Sequence, residues 1–153
     1  MKYHAELDFA IETAREIGNM LMSKHFGKFE EVGVRPGDSW SASATQADEE
    51  ADELFARRIK EKYPSHAILG EESETPGESE YLWRVDAPDG TNSFNRGNPE
   101  FSVIVSLERQ NELLIGVVYR PYHDELFYAH RGEGAWSNRN PDREIKRLSC
   151  SVA

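Results

Sequence analysis

At 153 residues the chain lies within the range of one domain, and 38% hydrophobic residues with 7 Phe, 6 Tyr and 3 Trp exclude a disordered acidic tail. Eighteen basic against 28 acidic residues leave a net charge of −10, a field that repels phosphate backbones and anionic membranes and argues against both as partners. The one cysteine, Cys150, excludes an intramolecular disulfide and a thiolate zinc cage; Met1 to Asp8 carries no apolar leader and no run reaches ~18 apolar residues, so a soluble, cytoplasmic protein is expected.

Leu7, Ile11, Ala14, Ile17, Met20, Leu21 and Phe26 recur three or four apart, which predicts an amphipathic helix from Ala5 to Phe26 closed by Gly27. Residues 28 to 44 lose that period and read as a short strand around Val32 to Val34 followed by a flexible, lid-like loop. Thr45 is the expected N-cap of a second helix, carried by Ala47, Ala51, Leu54, Phe55 and Ile59 and stopped by Pro64. Beyond it, Ala67 to Leu69, Tyr81 to Val85, Phe101 to Leu107, Leu113 to Tyr119 and Glu125 to Ala129 are apolar or alternating runs bounded by turn residues, hence strands. Gly70 to Glu80 reads as an acidic connecting loop. The short connections Arg109 to Glu112 and Pro121 to Asp124 predict antiparallel pairing of the last three strands. The fold class is therefore α+β, two helices packed on a mainly antiparallel sheet, in a single domain over residues 1–153.

Three acidic groups fall at element ends: Asp48 near the start of the second helix, Glu71-Glu72 after Ile68-Leu69-Gly70, and Asp86-Ala87-Pro88-Asp89-Gly90-Thr91 after an apolar strand. The last segment reads as a turn from which two carboxylates and a hydroxyl project, with the carbonyl of Pro88 available beside them. Two carboxylates about 4 Å apart repel by ~4 kcal/mol at an effective dielectric near 20, so converging acids must protonate, spread or bind a cation. Hard oxygen donors suit Mg²⁺ or Ca²⁺ rather than zinc. Amides at Gly90, Thr91 and Asn92 would open a helical turn and could cradle a phosphate. Each piece alone has a plainer reading: a surface turn, solvated acids, or a negatively charged first turn matching a helix dipole.

The ordered set of motifs resembles the inositol monophosphatase family. The matching pieces are Thr45-Gln46-Ala47-Asp48, Lys60 to His66, Gly70-Glu71-Glu72-Ser73, Trp83 to Phe94, Gly116 to Tyr119 and Gly132 to Trp136. The resemblance implies the N-terminal, metal-binding half of that family's sandwich fold and a Mg²⁺-dependent phosphomonoesterase acting on a small polyol phosphate. It further implies that Glu71, Asp86, Asp89 and the Pro88 carbonyl ligate Mg²⁺, that Asp48, Glu71 and Thr91 hold and activate the attacking water, and that the main chain of Gly90 and Thr91 receives the phosphate.

This sequence departs from the family where Ala87 and Pro88 stand for the more usual Pro and Ile or Leu, and where Ser93 takes an Asn slot. The family's second half, with a further Asp ligand, has no counterpart here, so a fragment or shortened form is expected, and its exposed sheet edge and apolar patch would favour a homodimer. A nucleotide bisphosphate phosphatase, a histidinol phosphatase and a cation-binding domain without turnover are the alternatives. Aspartyl-phosphate phosphatases place one residue between their two Asp, against Ala87 and Pro88 here. The five histidines, His66 included, are assigned to packing or surface roles, and Trp83, Phe101, Tyr119 and Trp136 to the core.

Overall fold

A computed structural model of the chain describes residues 3–26, 41–70, 74–75 and 79–149. Two long helices, α1 (His4–Lys24) and α2 (Ser41–Lys62), pack on one face of an eight-stranded sheet. The strands are β1 (Ala67–Leu69), β2 (Glu74–Thr75), β3 (Tyr81–Asp89), β4 (Ser102–Arg109), β5 (Glu112–Arg120), β6 (Glu125–His130), β7 (Gly134–Ser137) and β8 (Lys146–Arg147), and a short helix α3 (Thr91–Asn95) follows β3. Their spatial order is β2-β1-β3-β4-β5-β6-β7-β8. Every neighbouring pair is antiparallel except β1 with β3, which run parallel. The α+β class and the mainly antiparallel sheet are as expected from the sequence.

The helical period works through burial. Leu7, Phe9, Ala10, Ala14, Ile17 and Leu21 form the buried stripe of α1, and Ala47, Ala51, Phe55 and Ile59 that of α2. Both stripes meet the inward residues of the central strands, Trp83, Val103, Val105, Leu107, Ile115 and Val117, which are completely or almost completely buried. Phe9 and Trp83 meet edge to face at 5.5 Å, the arrangement aromatic quadrupoles favour. Gly18 lets α1 approach β5 closely: a Cβ there would stand 2.9 Å from the Tyr119 ring and 2.7 Å from Pro121. The β4–β5 turn is Gln110-Asn111, with φ of 51° and 64°, the two positive values a tight hairpin turn needs.

Several expectations need correction. The second helix begins at Ser41, so Thr45 lies inside it and is not its N-cap, and Ser41 to Ala44 are helical rather than loop. Alanine and serine alternate there, and alanine is the strongest helix former. The first turn of α2 consequently holds no acidic residue, and Asp48 cannot be serving the helix dipole at that end. The first helix ends at Lys24, although the amides of His25 and Phe26 still reach the Leu21 carbonyl. β3 runs on past Val85 to Asp89, and β4 opens at Ser102 rather than Phe101. β2, within the predicted acidic loop, and the short β7 and β8 were not legible as strands. Gly27, the strand around Val32 to Val34 and the start of the lid-like loop lie outside the described residues. Among the described residues no helix is long and apolar enough to cross a membrane.

Candidate active site

The sheet face turned away from α1 and α2 carries the site, and the ladder between β3 and β4 builds it. Asp86 stands opposite Ile104 and Asp89 opposite Ser102, so three steps along β3 match two along β4. In a regular strand, residues three apart point to opposite faces. The bulge absorbs the extra residue and turns both carboxylates to the same side. Ala87 and Pro88, joined by a cis peptide bond, are buried within it, whereas Asp86 and Asp89 are exposed. The Asp86 to Asp89 segment is thus a bulged strand and not the turn its composition suggests; the turn comes one residue later.

Gly90 makes that turn with φ of +90°. A Cβ there would lie 3.0 Å from the Glu100 carbonyl oxygen and 3.3 Å from Phe101 Cα, so backbone geometry and backbone crowding both demand glycine. α3 starts immediately after it, with the amides of Ser93 and Phe94 donating to the Gly90 carbonyl at 2.8 and 3.0 Å. The amides of Thr91 and Asn92, first in this helical turn, have no acceptor within it. Phe94, 1% exposed and edge-on to Phe101 at 4.9 Å, ties α3 to the core.

These elements border a cleft of about 480 Å³ lined by Asp86, Asp89, Gly90 and Thr91 on one side and by Leu69 and Gly70 at the end of β1 on the other. Its floor is Ile104 and Ser106 of β4, and Arg84 stands at its rim, tied by Nε to Glu108 at 2.7 Å. Two hydrogen bonds orient the polar groups. The Thr91 hydroxyl donates to the Pro88 carbonyl at 3.1 Å, and the Ser102 hydroxyl donates to Asp89 Oδ2 at 3.0 Å.

Of the residues singled out in the sequence, Asp86, Asp89, Gly90 and Thr91 therefore share one cleft, with the Pro88 carbonyl directly against Thr91. Asp48 sits half-buried on α2 and is not among the described residues that line the cleft. Glu71 follows Gly70, which does line it, but lies outside the described residues, as does Glu72. Among the described residues no three His, Cys, Asp or Glu side chains gather closely enough to hold a metal ion; Asp86 and Asp89 supply two carboxylates. That all-oxygen donor set, with no sulfur or imidazole among the described lining residues, fits a hard divalent cation. Sequence reading missed Ser102, Ile104 and Ser106. Their alternation along β4 was the available signal, since it places all three on one face of the strand.

Residues 3–153 match the family model described as the inositol monophosphatase family. An inositol-1-monophosphatase from Mesorhizobium japonicum is 36% identical over 151 residues, covering 95% of this chain and 54% of that protein. A Nus factor SuhB from Xylella fastidiosa is 33% identical over 141 residues, covering 92% of this chain and 50% of that protein. Among solved structures, inositol monophosphatase from Anabaena (Nostoc) sp. PCC 7120 superposes with a TM-score of 0.73 at 30% identity, over 92% of this chain and 50% of that one. The chain spans about half the length of the curated relatives it matches.

Proposed function

The chain belongs to the inositol monophosphatase family, and on that premise we propose that it is a Mg²⁺-dependent phosphomonoesterase site that hydrolyses a small polyol phosphate such as an inositol monophosphate. The observation that carries this reading is the bulge in β3, which sets Asp86 and Asp89 in one cleft beside the Gly90-Thr91 turn. In this reading Asp86, Asp89, the Pro88 carbonyl and Glu71 hold the cation. The chemistry such an ion supplies is Lewis acidity, which offsets phosphate charge and makes a neighbouring water more acidic.

The chain's own residues do the rest. Thr91 donates its hydroxyl hydrogen to the Pro88 carbonyl, which leaves the oxygen lone pairs facing away from that bond to accept from the attacking water. In the same reading Glu71 and Asp48 complete the hold on that water. Ser102 fixes Asp89 through Oδ2 and leaves the other carboxylate oxygen for the cation. The main chain of Gly90 and Thr91 receives the phosphate, so the reacting phosphorus is positioned by backbone and not by long side chains. A covalent phosphoenzyme is not required.

The test is phosphate release from inositol monophosphates, nucleotide bisphosphates and histidinol phosphate as Mg²⁺ is titrated. Release that requires Mg²⁺ and favours inositol monophosphates supports the proposal; preference for one of the others redirects the substrate, and a phosphorylated Asp86 during turnover overturns the mechanism. Because the chain spans about half the length of its relatives, cation binding without turnover is the second reading. Its signature is Mg²⁺ binding with phosphate release at background on every substrate.

A further inference from the structure

His66 lies at the opposite end of β1 from the cleft, and three side chains converge on its ring. Its imidazole stacks on Tyr63, just past the end of α2, with centroids 5.0 Å apart and planes 11° from parallel. On its other side it stacks on Tyr81 of β3 at 4.7 Å and 20°. The indole Nε1–H of Trp83, a side chain with 0% exposure, donates to His66 Nδ1 at 3.0 Å. The His66 amide closes the turn from α2 by donating to the Tyr63 carbonyl at 2.9 Å.

An indole nitrogen only donates, so Nδ1 must present a lone pair. The hydrogen-bond partner therefore assigns the tautomer: the ring is neutral and its proton sits on Nε2. An imidazolium carries hydrogen on both nitrogens and would leave the buried indole N–H without an acceptor.

Apart from Ile68, buried in the core, β1 is held by short pairings. It pairs with β3 over three residues only, Ala67 with Leu82, Ile68 with Trp83 and Leu69 with Arg84, and its other neighbour β2 is two residues long. The same three residues lead directly to Leu69 and Gly70 at the cleft. We infer that His66 is a positioning residue, kept as the neutral Nε2–H tautomer, which seats β1 on β3 and through it the Leu69-Gly70 wall of the cleft, and that protonating His66 releases this wall. The consequence for turnover rests on the function proposed above; the clamp itself does not.

The groups facing the ring set the direction. Burial disfavours the charged imidazole and holds it below the ordinary histidine range, and Glu6 on α1 pulls the other way. Tyr63 and Tyr81 offer ring faces that would also favour a cation, while the Lys62 ammonium, 6.0 Å over the Tyr63 ring, opposes a second positive charge. Arg109 of β4 lies over Tyr81 at 5.6 Å, and Glu80 pairs with Arg109, so these two charges offset each other at that end. Tyr3 meets Tyr81 edge-on at 6.3 Å and adds no charge at neutral pH.

Nitrogen-15 NMR on the full chain tests the assignment, with protection factors for the Trp83 indole and the Gly70 amide followed from about pH 7.5 to about pH 5, either side of the ordinary histidine pKa near 6.5. In the wild type, His66 should show a protonated Nε2 and bare Nδ1 and titrate below that value. Both protection factors should fall at least tenfold with the same midpoint. His66→Gln keeps an acceptor that does not titrate, so protection should become independent of pH; His66→Phe keeps a ring without an acceptor and should lack indole protection throughout. A proton on Nδ1, titration at or above the ordinary value, or the same acid loss in His66→Gln overturns the inference. Should His66→Gln not fold, the wild-type tautomer and the shared midpoint decide alone. Absence of Mg²⁺ binding would sink the proposed function and leave these signals unchanged.

Discussion

The Ser102 hydroxyl donates to Asp89 Oδ2 at 3.0 Å across the β3–β4 ladder, joining the second half of the acidic bulge to a residue thirteen positions further along the chain. Ser102→Ala removes the one donor that orients this carboxylate among the described residues. A hydrogen bond to a charged group contributes about 1.5–3 kcal/mol when sheltered, and about half of that or less is expected at this exposed pair. Mg²⁺ affinity should fall several-fold in a calorimetric titration, with little change in the unfolding midpoint.

Asp89→Asn tests the carboxylate itself. The amide keeps the shape and can still accept from Ser102, so the ladder should hold and stability should change by less than about 1 kcal/mol. Mg²⁺ binding should weaken at least tenfold, and any phosphate release should be abolished. Unchanged release would mean that the bulge is structural only.

Gly90→Ala and Gly97→Ala separate backbone strain from crowding. Both glycines have positive φ, at 90° and 66°, but a Cβ on Gly97 meets nothing within 4 Å whereas one on Gly90 meets the Glu100 and Phe101 main chain. Gly97→Ala should cost about 1 kcal/mol and Gly90→Ala about 2–3 kcal/mol by chemical denaturation. Equal costs would show that the Gly90 turn can shift aside.

Gly18→Ala inverts the usual expectation for a helix interior, where alanine gains about 1 kcal/mol over glycine. The new methyl would press on the Tyr119 ring and Pro121, both closer than 3.0 Å. Neither ring can move far without lifting α1 from β5. A net loss of about 1–3 kcal/mol is expected in thermal unfolding.

Alkaline pH should unfold the protein through its tyrosines. Burial raises the hydroxyls of Tyr63, Tyr119 and Tyr128 above their ordinary value of 10.0, with Glu6, Asp124 and Asp8 respectively adding to the effect. The folded state thus binds these protons more tightly than the unfolded state. Their contribution is complete below about pH 10 and is lost as pH rises through the folded values. Phenolate absorbance against pH, with loss of helix circular dichroism, should show a transition above pH 10 that Tyr119→Phe shifts upward.

Much of this architecture was legible because period and burial agree. Leu7, Ala14, Ile17 and Leu21 announce the buried side of α1, and the alternation in Val103, Val105 and Leu107 announces β4. Three residues, Ala67 to Leu69, carry no information about direction, so the parallel pairing of β1 with β3 could not be read. Asp86 to Asp89 has turn composition, and only pairing with Ile104 and Ser102 reveals it as strand. The clustering of Asp86, Asp89, Gly90 and Thr91 was readable because they are near neighbours in sequence. Alternation along β4 could place Ser102 on the right face, but neither its bond to Asp89 nor the setting of His66 was readable, since each acts through a partner distant along the chain.

The acidic bulge is also not a portable cassette. Its two carboxylates converge only because β4 supplies a shorter count opposite them, from Ile104 to Ser102. Transplanting the hexapeptide from Asp86 to Thr91 onto a foreign hairpin would restore ordinary pleating and send one acid inward. Any graft of this chemistry must bring both strands as a matched pair.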